Sequence, residues 1–245
     1  MSLLTPFIWI LLLLPFIILA FVTSKKPNLK YLLFFLLYFL TDCYIQQLSH
    51  QFISLKIIGL KFAWAGKLFS LILSLVIIFS VNTTERQLIG FTNKTNSTKQ
   101  LRFGILVFLG FLLFDCIFKM ILFAKGATFD LETFAFQATM PGLTEELAFR
   151  GIGFWLLDKA FEPKWSCKGI QFGWGFIIVT LLFAVAHGAV LTEDHQFKFD
   201  LITIIYLTLI SSLSVGLLRK FSGNSIFPIL GHNCINLMNA VIRIL

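Results

Sequence analysis

Eight apolar stretches, near residues 3–22, 30–48, 62–81, 101–124, 133–157, 170–190, 201–218 and 226–244, divide this chain almost from end to end. Most are close to the ~20 residues that cross a bilayer as an α-helix. Inside lipid, backbone N–H and C=O groups must be satisfied within a helix or around a closed barrel. The runs are continuous rather than alternating, which argues against a barrel. The predicted fold is therefore all-α: a polytopic transmembrane bundle of about eight helices. Only 13% of residues are charged and 30 are Phe, whereas soluble domains are about 25% charged. Residues 1–245 read as a single integral membrane domain in contact with the lipid bilayer. The first run lacks a basic leader and a small-residue cleavage site, so it is predicted to be a retained helix.

The net charge of +8 does not point to nucleic acid, because the basic residues lie in short loops between apolar runs. That is how membrane orientation is encoded. Loops with Lys25, Lys26 and Lys30, with Arg86, Lys94, Lys99 and Arg102, with Lys159, Lys164 and Lys168, and with Arg219 and Lys220 are basic. Those with Asp130 and Glu132, and with Glu193, Asp194 and Asp200, are acidic. The two kinds alternate, placing the basic loops in the cytoplasm and both termini outside. Lys56, Lys61 and Lys67 break the pattern. Gln46 to Lys61 reads as an amphipathic interfacial piece, and Glu85 to Arg102 as a hydrophilic loop. Cys43, Cys116, Cys167 and Cys234 show no paired spacing and read as inert buried thiols. The Phe, Lys and Asn richness points to a bacterial cytoplasmic membrane.

Against this background, Glu145, Glu146 and Arg150 put three charges within six residues of an apolar segment. At the centre of a membrane helix each costs roughly 2.5–3.5 kcal/mol, so they must pair, face water or do chemistry. Glu146 and Arg150 are four apart and share a helix face. Pairing them leaves Glu145, turned about 100° away, as an unpaired carboxylate suited to general-base work on water. Pro141-Gly142 upstream is predicted to kink or unwind the helix. His187 lies in another apolar segment, and His232 and Asn236 share one face of the last. The two could ligate a metal or donate to an oxyanion. A buried charge network and interhelical hydrogen bonding explain each feature taken singly. Asp115 and Lys119 read as a neutralised pair snorkelling near a helix end. Simple alternation puts His232 near the cytoplasmic start of its helix and His187 near the outer end of its own. They converge only if helices sit at uneven depths or residues 219–232 re-enter the membrane.

E-E-x-x-x-R at 145–150, F-x-x-x-H at 183–187 and H-x-x-x-N at 232–236, with the stretch Gly216–Ile229 before the last, resemble in order and spacing the motifs of the CPBP intramembrane proteases. That family includes CAAX prenyl endopeptidases and bacterial homologues linked to bacteriocin self-immunity, the Abi group. The resemblance covers roughly 130–245, which would be the catalytic core. It implies an endopeptidase cleaving a peptide bond near the membrane surface, with a peptide or protein substrate, lipidated or not. By the same resemblance Glu145 and His187 activate water, His232 and Asn236 stabilise the oxyanion, and Glu146 and Arg150 support them. Zinc could bind Glu145, His187 and His232 as a three-ligand open site, but Glu–His activation of water needs no metal. The competing readings are a proton-coupled transporter using the same residues as a relay, and a non-catalytic membrane binding protein.

Overall fold

The computed structural model describes residues 1–49, 59–123 and 125–245. Helices α1 (Thr5–Thr23) and α2 (Leu29–Leu48) form an antiparallel pair, α3 (Trp64–Ser80) packs on α2, and a short α4 (Thr83–Ile89) follows. After α5 (Thr98–Leu122) comes a long rod. It runs as α6 (Leu131–Glu145), continues as a first π-helical segment (Glu146–Gly153), and ends as α7 (Phe154–Ala160). Helix α8 (Trp174–Gly188) lies between two hairpins, β1 (Trp165–Cys167) with β2 (Ile170–Phe172) and β3 (Ala189–Leu191) with β4 (Phe197–Phe199). A second rod runs from α9 (Leu201–Tyr206) through a second π segment (Leu207–Ser212) into α10 (Leu213–Ser222). Helix α11 (Ile226–Ile244) ends the chain.

The helix ends are written locally. Asn28, Ser97, Asp130 and Asp200 accept from the first free backbone N–H groups of α2, α5, α6 and α9, satisfying donors that have no partner inside the helix. Gly223 closes α10 in the left-handed conformation at φ 72°, which glycine adopts without a steric cost.

The chain is an all-α integral membrane protein. Thr5–Thr23, Leu29–Leu48, Thr98–Leu122 and Leu201–Ser222 are long and apolar enough to cross a membrane, and Trp64–Ser80 and Trp174–Gly188 are shorter apolar helices. The remaining predicted spans, α6–α7 and α11, carry the charged and polar residues described below. Large apolar side chains such as Val22, Ile121 and Ile202 point outward, as a lipid-facing belt requires. Inward-facing Trp9, Phe35, Phe39, Leu147, Ile178 and Leu182 share one apolar core.

Some local expectations change. The stretch predicted as a hydrophilic loop contains α4, capped by Asn82 and closed by Gly90. Cys167 and Cys234 are exposed, and Cys43 and Cys116 only partly buried. Most of the predicted interfacial piece lies outside the described residues. The α10–α11 turn is recessed beneath residues 90–97: Ser225 N–H donates to the Gly90 carbonyl, Asn224 Nδ2 to Thr92, and Asn96 Nδ2 to Lys220 and Phe221. Ser222, Asn224 and Ser225 are buried as a result. His232 and His187 border one small chamber and pack against the same Phe183 ring.

Candidate active site

Pro141 sits inside α6 without ending it. The helix stays α-helical to Glu145 and widens only afterwards, so the unwinding predicted at Pro141-Gly142 occurs one turn later, over Glu146–Gly153. The reason lies on α11. Gly142 N–H donates to Asn233 Oδ1 at 2.8 Å, and Asn233 Nδ2 to the Thr139 carbonyl at 3.3 Å. That amide braces the backbone where proline weakens the ladder. A Cβ at 142 would collide with Asn233 and the Ile229 carbonyl, so glycine lets α11 approach closely enough to bring His232 to the carboxylates. Single π turns inside helices are rare and concentrate at functional sites.

The two glutamates take different partners. Glu146, fully buried, accepts from Arg150 Nη1 at 2.9 Å and from His232 Nδ1 at 2.7 Å, both on Oε1. The i, i+4 pairing expected from the spacing is thus present. Arg150 also donates to Ser212 Oγ at 2.9 Å and lies 4.1 Å over the Phe183 ring, so it clamps the two π segments together against α8. Phe183 packs against both His187 and His232.

Glu145 is not the unpaired carboxylate predicted. Lys67 of α3 reaches it, with Nζ 2.7 Å from Oε1. Oε2 is buried without a hydrogen-bond partner and lies 3.9 Å from His232 Nε2. By sequence Lys67 only breaks the alternation of charged loops. The missed signal is a lone positive charge inside the apolar run 62–81, which needs a partner for the same reason as Glu145. Beside it, Asp42 on α2 is buried and accepts from Ser70 and from Gln46 Nε2.

His187 is exposed at the end of α8, and its Nδ1 lies 2.7 Å from the Phe183 carbonyl. A carbonyl only accepts, so Nδ1 carries the hydrogen, and in the neutral form of the ring Nε2 presents its lone pair. Glu145, His187, Lys67, Asp42 and Gln46 line one cavity of about 530 Å³, walled on its apolar side by Trp9, Phe39 and Phe149. His187 also borders a second chamber of about 120 Å³ with His232, Asn236, Arg150, Lys119 and Ser211. Lys119 and Asp115 do not snorkel: their side chains are 6% and 1% exposed, 2.7 Å apart, with the Tyr206 hydroxyl on Asp115. All six residues singled out by the motifs, Glu145, Glu146, Arg150, His187, His232 and Asn236, converge on these two cavities or the wall between them.

A three-ligand zinc set is not assembled. The Lys67 ammonium beside Glu145 opposes a second cation there. Among the described residues no group of three or more His, Cys, Asp or Glu side chains is placed to hold a metal.

No curated protein and no solved structure matches the chain significantly. Residues 127–238, which hold every motif residue, match the family model of the Rce1-like type II CAAX prenyl endopeptidases. Over that segment, which carries the site, the chain is similar to the CAAX prenyl endopeptidases.

Proposed function

We propose that this chain hydrolyses a peptide bond near the membrane surface with water activated by Glu145 and His187. Glu145 Oε2, the oxygen that Lys67 leaves free, takes a proton from the water. His187 Nε2 accepts the water's other hydrogen and aims its oxygen at the scissile carbonyl carbon. Attack gives a tetrahedral oxyanion, which accepts hydrogen bonds from Asn236 and His232. Because His232 Nδ1–H is held by Glu146, its Nε2 donates only when both ring nitrogens are protonated. Collapse breaks the C–N bond, and the departing amine takes the proton held on Glu145. Donors fixed in a water-poor site stabilise developing charge without reorganising, and here Arg150, Ser212 and Asn233 do the fixing.

The observation carrying this reading is that Glu145, with one oxygen paired and one unpartnered, faces the same cavity as the free nitrogen of His187. The test incubates purified protein with peptides ending in a CAAX-type sequence, with and without a lipid on the cysteine, and identifies fragments by mass spectrometry. The reading expects a single cleavage absent from Glu145→Ala protein. Lipidated peptide cleaved preferentially indicates a CAAX-type substrate, and equal cleavage a bacteriocin-processing type. Intact peptides in every arm would overturn the reading.

A further inference from the structure

The face of the membrane that the site serves is written in the placement of charge relative to the cavity. One end of the bundle gathers the segments 24–30, 81–102, 158–173 and 219–225, joined by Asn28 N–H to the Ala160 carbonyl, Lys159 to Glu85, and Asn96 to Lys220. These segments hold 12 of the chain's 20 Lys and Arg and only three of its 12 acids. The opposite end joins the amino terminus to β3 and residue 127 to the end of α11. Among the described residues that end holds five acids, Asp130, Glu132, Glu193, Asp194 and Asp200, beside only four basic residues, Lys61, Lys125, Lys198 and Arg243. Excess Lys and Arg in short loops marks the cytoplasmic side.

The larger cavity reaches its rim at Met1, Gln47 and Glu193, all at the acid-rich end, and Glu193 is 83% exposed. No segment of the basic end contributes to its lining. His187 stands one residue before the end of α8 on the same acid-rich side. At the basic end, the 90–97 segment is bonded over the α10–α11 turn, and the cavity of about 630 Å³ beside it, lined by Gly90, Thr92, Leu143 and Leu147, takes in none of the six motif residues. Resting on the peptidase reading above, we infer that the site is entered from the extracytoplasmic face. Its substrate is then a peptide exposed on the outer surface of the membrane rather than a chain terminus displayed in the cytoplasm.

The test uses single cysteines in an otherwise cysteine-free full-length chain: native Cys167 in the β1–β2 hairpin at the basic end, and Glu193→Cys or Gln47→Cys at the cavity rim. Lys198→Cys on β4 is a second outer marker should either rim variant fail to fold. Cells are treated with a membrane-impermeant maleimide before and after permeabilisation. The inference expects the rim and β4 cysteines to react in intact cells, Cys167 to react only after permeabilisation, and reagent on Gln47→Cys to block cleavage of peptide added outside. Labelling of Cys167 from outside with the rim protected, or equal labelling of both, would overturn it. The labelling pattern needs no turnover. Outer labelling without cleavage would count against the peptidase reading alone, and reversed labelling with cleavage retained would count against the topology alone.

Discussion

The site is built from two regions of different character. Residues 127–238 supply Glu145, Glu146, Arg150, His187, His232 and Asn236, and within that region the Glu146–Arg150 pair is local, on one helix, with both side chains at most 1% exposed. Residues 29–80 lie outside the family match, yet they supply Lys67, Asp42 and Gln46. Their ion pair to Glu145 spans two helices and keeps 15% of each side chain exposed to the cavity. One pair is sealed and holds the architecture. The other is accessible and holds the carboxylate that we propose reacts. Which charge is removed should therefore decide whether stability or turnover suffers.

The largest effect expected is on chemistry. His187→Ala should lower kcat by about 10²–10⁴-fold, the range for loss of a positioned general base or acid. Adding Glu145→Ala should cost little more, since residues acting as a unit are not additive. Multiplying losses in a steady-state comparison would show that the two do not share a step. Breaking the sealed pair should act on folding. Glu146→Gln strands Arg150 and should cost about 3–5 kcal/mol, seen as a lower melting temperature in detergent. Glu146→Gln with Arg150→Met should recover much of it. Glu145→Gln should melt closer to wild type, because Lys67 keeps access to the cavity. A melting series in the reverse order would exchange the two roles.

Lys67 sharpens the comparison further. Lys67→Met should lower kcat by about 10²-fold through a misplaced carboxylate while KM changes little, and Lys67→Arg should recover part of the loss. An unchanged kcat in Lys67→Met would make the pair purely structural. Strong chelators should leave most of the activity, and elemental analysis should find less than one equivalent of zinc. The smallest effect lies at the basic rim. There the hydrogen bond from Lys159 Nζ, joined by Trp155, holds the Glu85 carboxyl below its ordinary value despite some burial. A lowered carboxyl stabilises the fold above the ordinary glutamate range and loses that contribution as pH falls through the lowered value. Glu85→Gln should therefore cost at most about 1 kcal/mol at neutral pH, as for a partly exposed pair, and nothing in acid.

The residues legible in the sequence were those whose partners are local. Helix limits followed from apolar run length, and Glu146–Arg150 and the His232–Asn236 face from spacing along a helix. Partners supplied by packing were not legible. Lys67 reaches Glu145 across 78 positions, and Asn233 reaches Gly142 across 91. Neither separation leaves a periodic trace. The same limit explains Asp115 and Lys119: spacing gave their pairing, but only Tyr206 and the second rod, packed over them, make them buried rather than snorkelling. The bonding of the 90–97 segment over the α10–α11 turn, just before His232, is likewise a product of packing.

The central claim is that Glu145 performs the hydrolysis in a site otherwise intact without it. The most direct measurement compares the rate of peptide cleavage by wild-type and Glu145→Ala protein, purified in parallel and shown by melting to be equally folded. The account predicts a loss of at least about 10²-fold with a similar melting temperature. Cleavage by Glu145→Ala within a few-fold of wild type would contradict it.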